Sequence, residues 1–323
     1  MSNTELIKEL RALTQAGMKD CKEALEEAAW DLQKAVDIVK TKGLNIADGR
    51  TGRVASEGRV LVCGICNGVT GGYAMIEVNA QTDFVANSLD FKTFASQTLD
   101  TLRNRWGQGL EFTTDLVEDA RKAVVAITKE NIVVRRWWIE EAISPEVRVF
   151  SYVHSNNKLA VLLTLQAPSV DAAKTNDFYV LGEDLAMQVC AMNPLAVSSD
   201  RLNPEDLERQ KAIFETQLKD LNKPQASWPK IMEGKMRKWN SEVCLLEQES
   251  VIVPKTTVKQ VIESVSAKLG GPITVVNFIR CQVGEGIEKK QDNLAEEVAK
   301  LTEQENGKFD PTTLQIMSLV RNK

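Results

Sequence analysis

Glu77-Val78-Asn79-Ala80-Gln81-Thr82-Asp83-Phe84-Val85-Ala86-Asn87 is the stretch whose reading decides the fold, because the hydrophobic period changes inside it. Upstream, Ala74, Ile76, Val78 and Ala80 alternate with Tyr73, Met75, Glu77 and Asn79, the pattern of a half-buried strand. Downstream, Phe91, Phe94, Ala95, Leu99 and Leu102 recur at helical spacing. Between them, Gln81-Thr82-Asp83 supplies side-chain oxygens that can accept the orphan N–H groups of a helix start. A strand therefore hands over to a helix where the chain displays an acid and an aromatic, Asp83 and Phe84. Two roles fit the pair. Asp83 can sit on the helix dipole with Phe84 in the core, or Phe84 can be an exposed anchor that enters a partner. The pattern leaves both open.

Around this junction the elements repeat. Residues 58–82 read as a hairpin turning at Asn67–Gly72. After the helix over 91–102 come a second helix, Leu116 to Glu130, and a third strand, Asn131 to Arg136. The run Arg135-Arg136-Trp137-Trp138 has the composition of a base-stacking platform. Strand alternation turns only half of it to one side, however, so sheet packing is the better reading. Phe150 to His154, a turn at 155–157, Leu159 to Leu165 and a helix carrying Leu181, Leu185, Ala186, Val189 and Cys190 then restate the unit. Ile273 to Arg280, read as a buried strand, completes a second sheet. The expected fold class is α+β, with a duplicated core of antiparallel sheets.

The appendages are helical. Residues 3–42 read as three short helices, opened by a Ser2/Glu5 capping box, turned at Gly17, capped again at Asp31 and ended by Gly43. Met18 fits either the core of that bundle or an apolar contact outside it. Residues 44–57 lack apolar periodicity and read as a linker. From Pro204 a charged helix carries Leu207, Phe214, Leu218 and Leu221, and Pro224 breaks it. A second helix from Ser227 carries Met232, Met236, Trp239 and Val243, making an antiparallel hairpin. Gly284-Glu285-Gly286 lacks the Lys-Ser/Thr ending of a phosphate loop and reads as a turn before a helix with Leu294, Val298 and Leu301. No role is assigned to residues 303–323. The expected divisions are 1–43, a linker 44–57, core halves 58–140 and 141–283 with the hairpin at 204–244, and a helical 284–323.

Composition narrows the function. The 323 residues are 43% hydrophobic, enough for packed cores. Forty basic against 45 acidic residues give a net charge of −5, which argues against a general nucleic-acid binder. No apolar run approaches the roughly 18 residues of a membrane span, and the first residues lack the pattern of a signal peptide. The six cysteines read as reduced thiols. Cys63-Gly64-Ile65-Cys66 has redox or zinc half-site spacing, but it falls on a strand, where residues three apart diverge. The single histidine, His154, reads as a structural hydrogen-bonder with no nucleophile beside it. No catalytic constellation, cofactor or metal is expected.

Four stretches carry a resemblance. They are Leu13 to Lys22, the run Gln81-Thr82-Asp83-Phe84-Val85, Glu233 to Lys238, and Val283 to Glu288. In this order and spacing, the chain resembles the elongation factor Ts family, the guanine-nucleotide exchange factors of translation. The resemblance implies a ubiquitin-associated-like three-helix head, a duplicated α+β core with a projecting helical hairpin, and no chemistry of its own. It implies elongation factor Tu as partner, met by Thr82, Asp83, Phe84 and Val85, with Phe84 wedged near the partner's Mg²⁺ region. Met18 on the head and His154, in the run Ser151-Tyr152-Val153-His154, would add contacts. The hairpin would serve partner contact or a homodimer, and the setting would be a bacterial-type cytoplasm or an organellar matrix. The family often carries a basic residue where Asn87 stands, so an ion pair at that point is not expected here. The rival readings are a C-x-x-C oxidoreductase and a non-catalytic binding module built on the three-helix head.

Overall fold

The computed structural model describes residues 2–14, 18–39, 52–66, 71–220 and 227–288. The expected turns at Gly17, 67–70 and Pro224, the helix end at Gly43, the helix after residue 293 and residues 303–323 lie outside these. The chain falls into two units, Met1–Glu285 and Gly286–Lys323, and of the second only residues 286–288 are described.

Helices α1 (Asn3–Thr14), α2 (Met18–Glu27) and α3 (32–39) pack around Leu10, Cys21, Ala24, Leu25, Ala28 and Ala35. Both expected caps form. Ser2 and Glu5 exchange backbone-to-side-chain bonds at 2.7 and 3.3 Å. The Lys34 N–H donates to Asp31 Oδ1 at 3.0 Å.

The first sheet has the order β1 (Glu57–Cys66), β2 (Gly71–Ala80), β3 (Ile132–Glu141), all antiparallel. Between β2 and β3 run the short α4 (Asp83–Asn87), α5 (Leu89–Gly107) and α6 (Glu118–Thr128). The second sheet repeats this order with β4 (Val147–Val153), β5 (Leu159–Gln166) and β6 (Thr274–Gln282). Its helices, all between β5 and β6, are α7 (Asn176–Met192), α8 (Pro204–Asp220), α9 (Trp228–Val243) and α10 (Val258–Leu269). The α8–α9 pair is antiparallel, joined by Lys235 Nζ to Gln217 Oε1 at 2.6 Å and by Lys235 over the Phe214 ring. As an edge strand, β6 is fully buried only at Val275 and Cys281, less than the buried strand expected.

The alternation read for β2 predicts one buried face, and here the structure differs. Met75, Glu77 and Asn79 are as fully buried as Ile76 and Val78. The two sheets pack face to face, with Val60 and Met75 of the first against Val149, Ala160, Leu162 and Cys281 of the second. Helices cover the outer faces: Phe91, Phe94 and Leu102 of α5 on one, Phe178, Leu181 and Leu185 of α7 on the other. A central strand inside four layers has no solvent side, whatever its polar residues imply.

Glu77 is the charged residue at this interface. Each sheet has a one-residue bulge in its third strand: Arg135 is extra between the pairs Glu77–Arg136 and Val78–Val134, and Val276 between Thr164–Asn277 and Leu165–Val275. Consecutive strand residues normally face opposite sides, but a bulge breaks that rule. Both Arg135 and Arg136 therefore pair with Glu77, so alternation fails for the first half of the Arg-Arg-Trp-Trp run. The Gly284 N–H donates to Glu77 Oε1 at 2.8 Å, tying the end of the second half to the first sheet. Gly284 is required there: its φ is +73°, and a Cβ would lie 2.2 Å from the Ser56 carbonyl oxygen. Burial pushes the Glu77 carboxyl up. The Gly284 amide and the two guanidiniums outweigh that and hold it below its ordinary value. Trp138 joins the core between the sheets, and Trp137 packs edge-on against Phe112 at 5.2 Å.

Candidate functional site

β2 ends at Ala80 and delivers the chain to Thr82, whose extended backbone makes it the cap of α4. Its Oγ1 accepts the Val85 N–H at 3.3 Å. The inner side of this helix belongs to the core: Ala86 is buried and Val85 packs on the cluster of Phe91 and Phe94. The outer side carries Asp83 and Phe84, both exposed, and Phe84 is 84% exposed. The core reading of Phe84 is thereby set aside. Leu89, at the first position of α5, is 79% exposed.

The sequence reading merged α4 and α5 into one helix start. They are separate because Ser88 is extended, with ψ 156°, and caps α5 by accepting the Phe91 N–H at 3.3 Å. The extended residue ends α4 before the long helix begins, and Phe84 lies outside the core. A serine three residues ahead of Phe91, the first buried residue of the helix, was the available signal.

α4 is held at both ends by side chains from elsewhere. The Thr82 N–H and hydroxyl donate to the two oxygens of Glu130 at 3.0 and 2.7 Å. Arg59 of β1 donates from Nε to the Ala86 carbonyl at 3.0 Å and from Nη2 to Asn87 Oδ1 at 2.8 Å. Asn87 Nδ2 in turn donates to the Asp83 carbonyl at 2.9 Å. Asn87 thus receives a guanidinium rather than bearing a charge. Sequence reading gives neither Glu130 nor Arg59 a part in this site, since they stand 48 and 27 residues from their partners and follow no local pattern.

Thr82, Asp83, Phe84 and Val85 come together on one turn, with Val85 facing inward and Asp83 and Phe84 outward. Met18 lies apart, at the first position of α2 in the head, and is 55% exposed. His154 is exposed just after β4, its N–H bonded to the Leu159 carbonyl at 2.9 Å and its Nδ1 3.5 Å from the Tyr152 hydroxyl. The head meets the core through Lys129 and Asp20 at 3.3 Å, next to Glu130. Cys63 packs on the helix-side core while Cys66 is exposed, so the C-x-x-C thiols diverge along β1. Among the described residues no cluster of His, Cys, Asp and Glu has the arrangement of a metal site, and no described helix is long and apolar enough to cross a membrane.

These features define a duplicated two-sheet α+β protein that presents a rigidly mounted aromatic on its surface. Residues 81–285 match the family described as Elongation factor TS. Proteins named Elongation factor Ts are similar along nearly the whole length. That of Syntrophotalea carbinolica is 36% identical over 305 residues, covering 92% of this chain and 98% of its own. That of Clostridioides difficile is 37% identical over 304 residues, covering 92% and 97%. That of Caulobacter vibrioides is 36% identical over 313 residues, covering 93% and 97%. The chain belongs to the elongation factor Ts family, and its role lies in translation elongation.

Proposed function

We propose that the chain is a guanine-nucleotide exchange factor that binds elongation factor Tu and promotes GDP release, followed by GTP loading, with no catalytic residues of its own. The observation that carries this reading is Phe84, an aromatic 84% exposed on a helix pinned at both ends. Leaving it in water forgoes about 1.5–3 kcal/mol of burial, which a partner that closes over it recovers. A GTPase holds GDP through loop amides and Mg²⁺. Phe84 inserted among the partner's helices near that region favours a conformation in which those contacts are weakened, and Asp83 fixes the approach. The coupling is reciprocal: nucleotide and factor each lower the other's affinity.

Thr82 and Val85 frame the wedge, Met18 on the head and His154 on the second half contact other parts of the partner, and the α8–α9 hairpin is a candidate homodimer contact. The setting is a bacterial-type cytoplasm or an organellar matrix. Stopped-flow release of a fluorescent GDP analogue from elongation factor Tu tests this. The parent chain accelerates release, and Phe84→Ala loses roughly 2 kcal/mol of coupling, the hot-spot scale. Equal rates for both proteins reject the site; no acceleration by the parent rejects the function.

A further inference from the structure

An isolated helix of one turn does not hold itself, because its nucleation cost is never recovered by propagation. α4 has five residues and is flanked by extended Thr82 and Ser88, so its direction must be set from outside. Two charged side chains do this. Glu130, at the junction of α6 and β3, takes both donors of Thr82, which fixes the hydroxyl hydrogen outward and leaves the oxygen to receive the Val85 N–H. Arg59, from β1, places a cation on the Ala86 carbonyl in the last turn of α4 and on the Asn87 side chain, which closes back on the Asp83 carbonyl. Neither residue neighbours Phe84 in sequence. With Ala86 buried and Val85 on the core, the two pins leave α4 one orientation and Phe84 one direction.

We propose that Glu130 and Arg59 are positioning residues for nucleotide exchange, which lock α4 and thereby aim Phe84 at the partner. The inference rests on the reading of Phe84 given above. Its signature is that both residues act through Phe84 and not alongside it. The experiment measures GDP release from elongation factor Tu at saturating full-length factor, for the parent, Glu130→Gln, Phe84→Ala and the double variant. Glu130→Gln puts an amide N–H₂ against a donor of Thr82 and slows saturating release roughly tenfold, the scale of a lost charged hydrogen bond. In the Phe84→Ala background the same change alters the rate by less than about twofold, because residues that act as a unit are not additive. Amide hydrogen exchange of the free protein gives a second readout. Glu130→Gln raises exchange over residues 84–87 by roughly tenfold and leaves β2 protected, as expected for local opening.

Parental release by Glu130→Gln beside a slow Phe84→Ala overturns the inference and leaves the wedge standing. A penalty that multiplies in the double variant, or loss of protection throughout β2, overturns it by showing a general structural role. Parental release by Phe84→Ala rejects the wedge itself and the inference with it. If Glu130→Gln does not fold, Arg59→Met carries the same cycle, with a slowing of about threefold expected from loss of a cation at a helix end.

Discussion

The two halves of the core turn from central strand to helix with the same device and opposite results. Thr82 follows β2 and Thr175 precedes α7; each is extended, and each accepts at 3.3 Å the N–H of the residue three places on. That residue is Val85 in one half and Phe178 in the other. Thr82-Asp83-Phe84-Val85 and Thr175-Asn176-Asp177-Phe178 differ by one residue between cap and aromatic. One residue is about 100° around a helix. Phe178 lands in the inward slot, fully buried and edge-on to Phe150 at 5.8 Å, while Phe84 lands outside with valine in the slot it would have filled. The exposure of Phe84 thus follows from its register to the cap together with the break at Ser88.

The largest expected effect breaks the comparison at its buried end. Phe178→Ala removes a ring from the centre of the second core and costs about 3–5 kcal/mol of stability. Phe84→Ala, by contrast, stays within about 0.5 kcal/mol of the parent, as surface substitutions do. Chemical denaturation of the two variants measures both. Comparable losses would mean that Phe84 is a packing residue after all.

Next in size is the bulge, where the halves also diverge. The first sheet sets Glu77 there, against Arg135, Arg136 and the Gly284 amide; the second sets Thr164, whose hydroxyl donates to Glu140 at 3.3 Å. Glu77→Ala strands two guanidiniums that retain some solvent, so the cost falls at the low end of the buried-pair range, about 3 kcal/mol. Its pH dependence follows from the depressed carboxyl. Burial acts to raise it, and the Gly284 amide, Arg136 and Arg135 lower it further than burial raises it. A depressed carboxyl contributes stability fully above its unfolded value and loses it as pH falls through the folded value. The parent therefore loses stability on acidification below that unfolded value, and Glu77→Ala has a flatter acid limb. Unfolding free energies measured from neutral pH down into the acid range check this; parallel curves would remove Glu77 from the account.

The contrast also explains what the sequence allowed one to read. Strands, helices and the duplicated α+β plan were legible because apolar periodicity is local: Phe91, Phe94, Leu99 and Leu102 mark the core face of α5 without reference to anything else. Thr82 as a cap was legible for the same reason. The burial of Glu77 was not, since it depends on a second sheet formed more than 60 residues later and on a bulge that points two neighbouring arginines the same way. The fate of Phe84 stayed open on pattern because Ser88, Glu130 and Arg59 together decide it, and two of these come from distant segments.

The smallest effect lies at helix ends, where two regions again solve one problem differently. α10 ends on Gly270, at φ +77°, a conformation that costs glycine little. α2 leads into Ala29 and Trp30, at φ 52° and 65°, where the Trp30 N–H still reaches the Leu25 carbonyl at 2.7 Å. Left-handed backbone costs a residue with a Cβ about 1–2 kcal/mol. Glycine at 29 removes that cost, and the extra freedom of the unfolded chain returns about 0.4–1 kcal/mol of it. Ala29→Gly should therefore stabilise the head by about 0.5 kcal/mol. The exposed methyl of Ala29 loses no packing, whereas Trp30→Gly gives up a ring that packs on the head's core and should destabilise it despite the same relief. Amide hydrogen exchange at Leu25 and Ala28 distinguishes the two: slower in Ala29→Gly, faster in Trp30→Gly. If both variants slow exchange, backbone strain outweighs the Trp30 packing, and the head is held by its turns more than by its core.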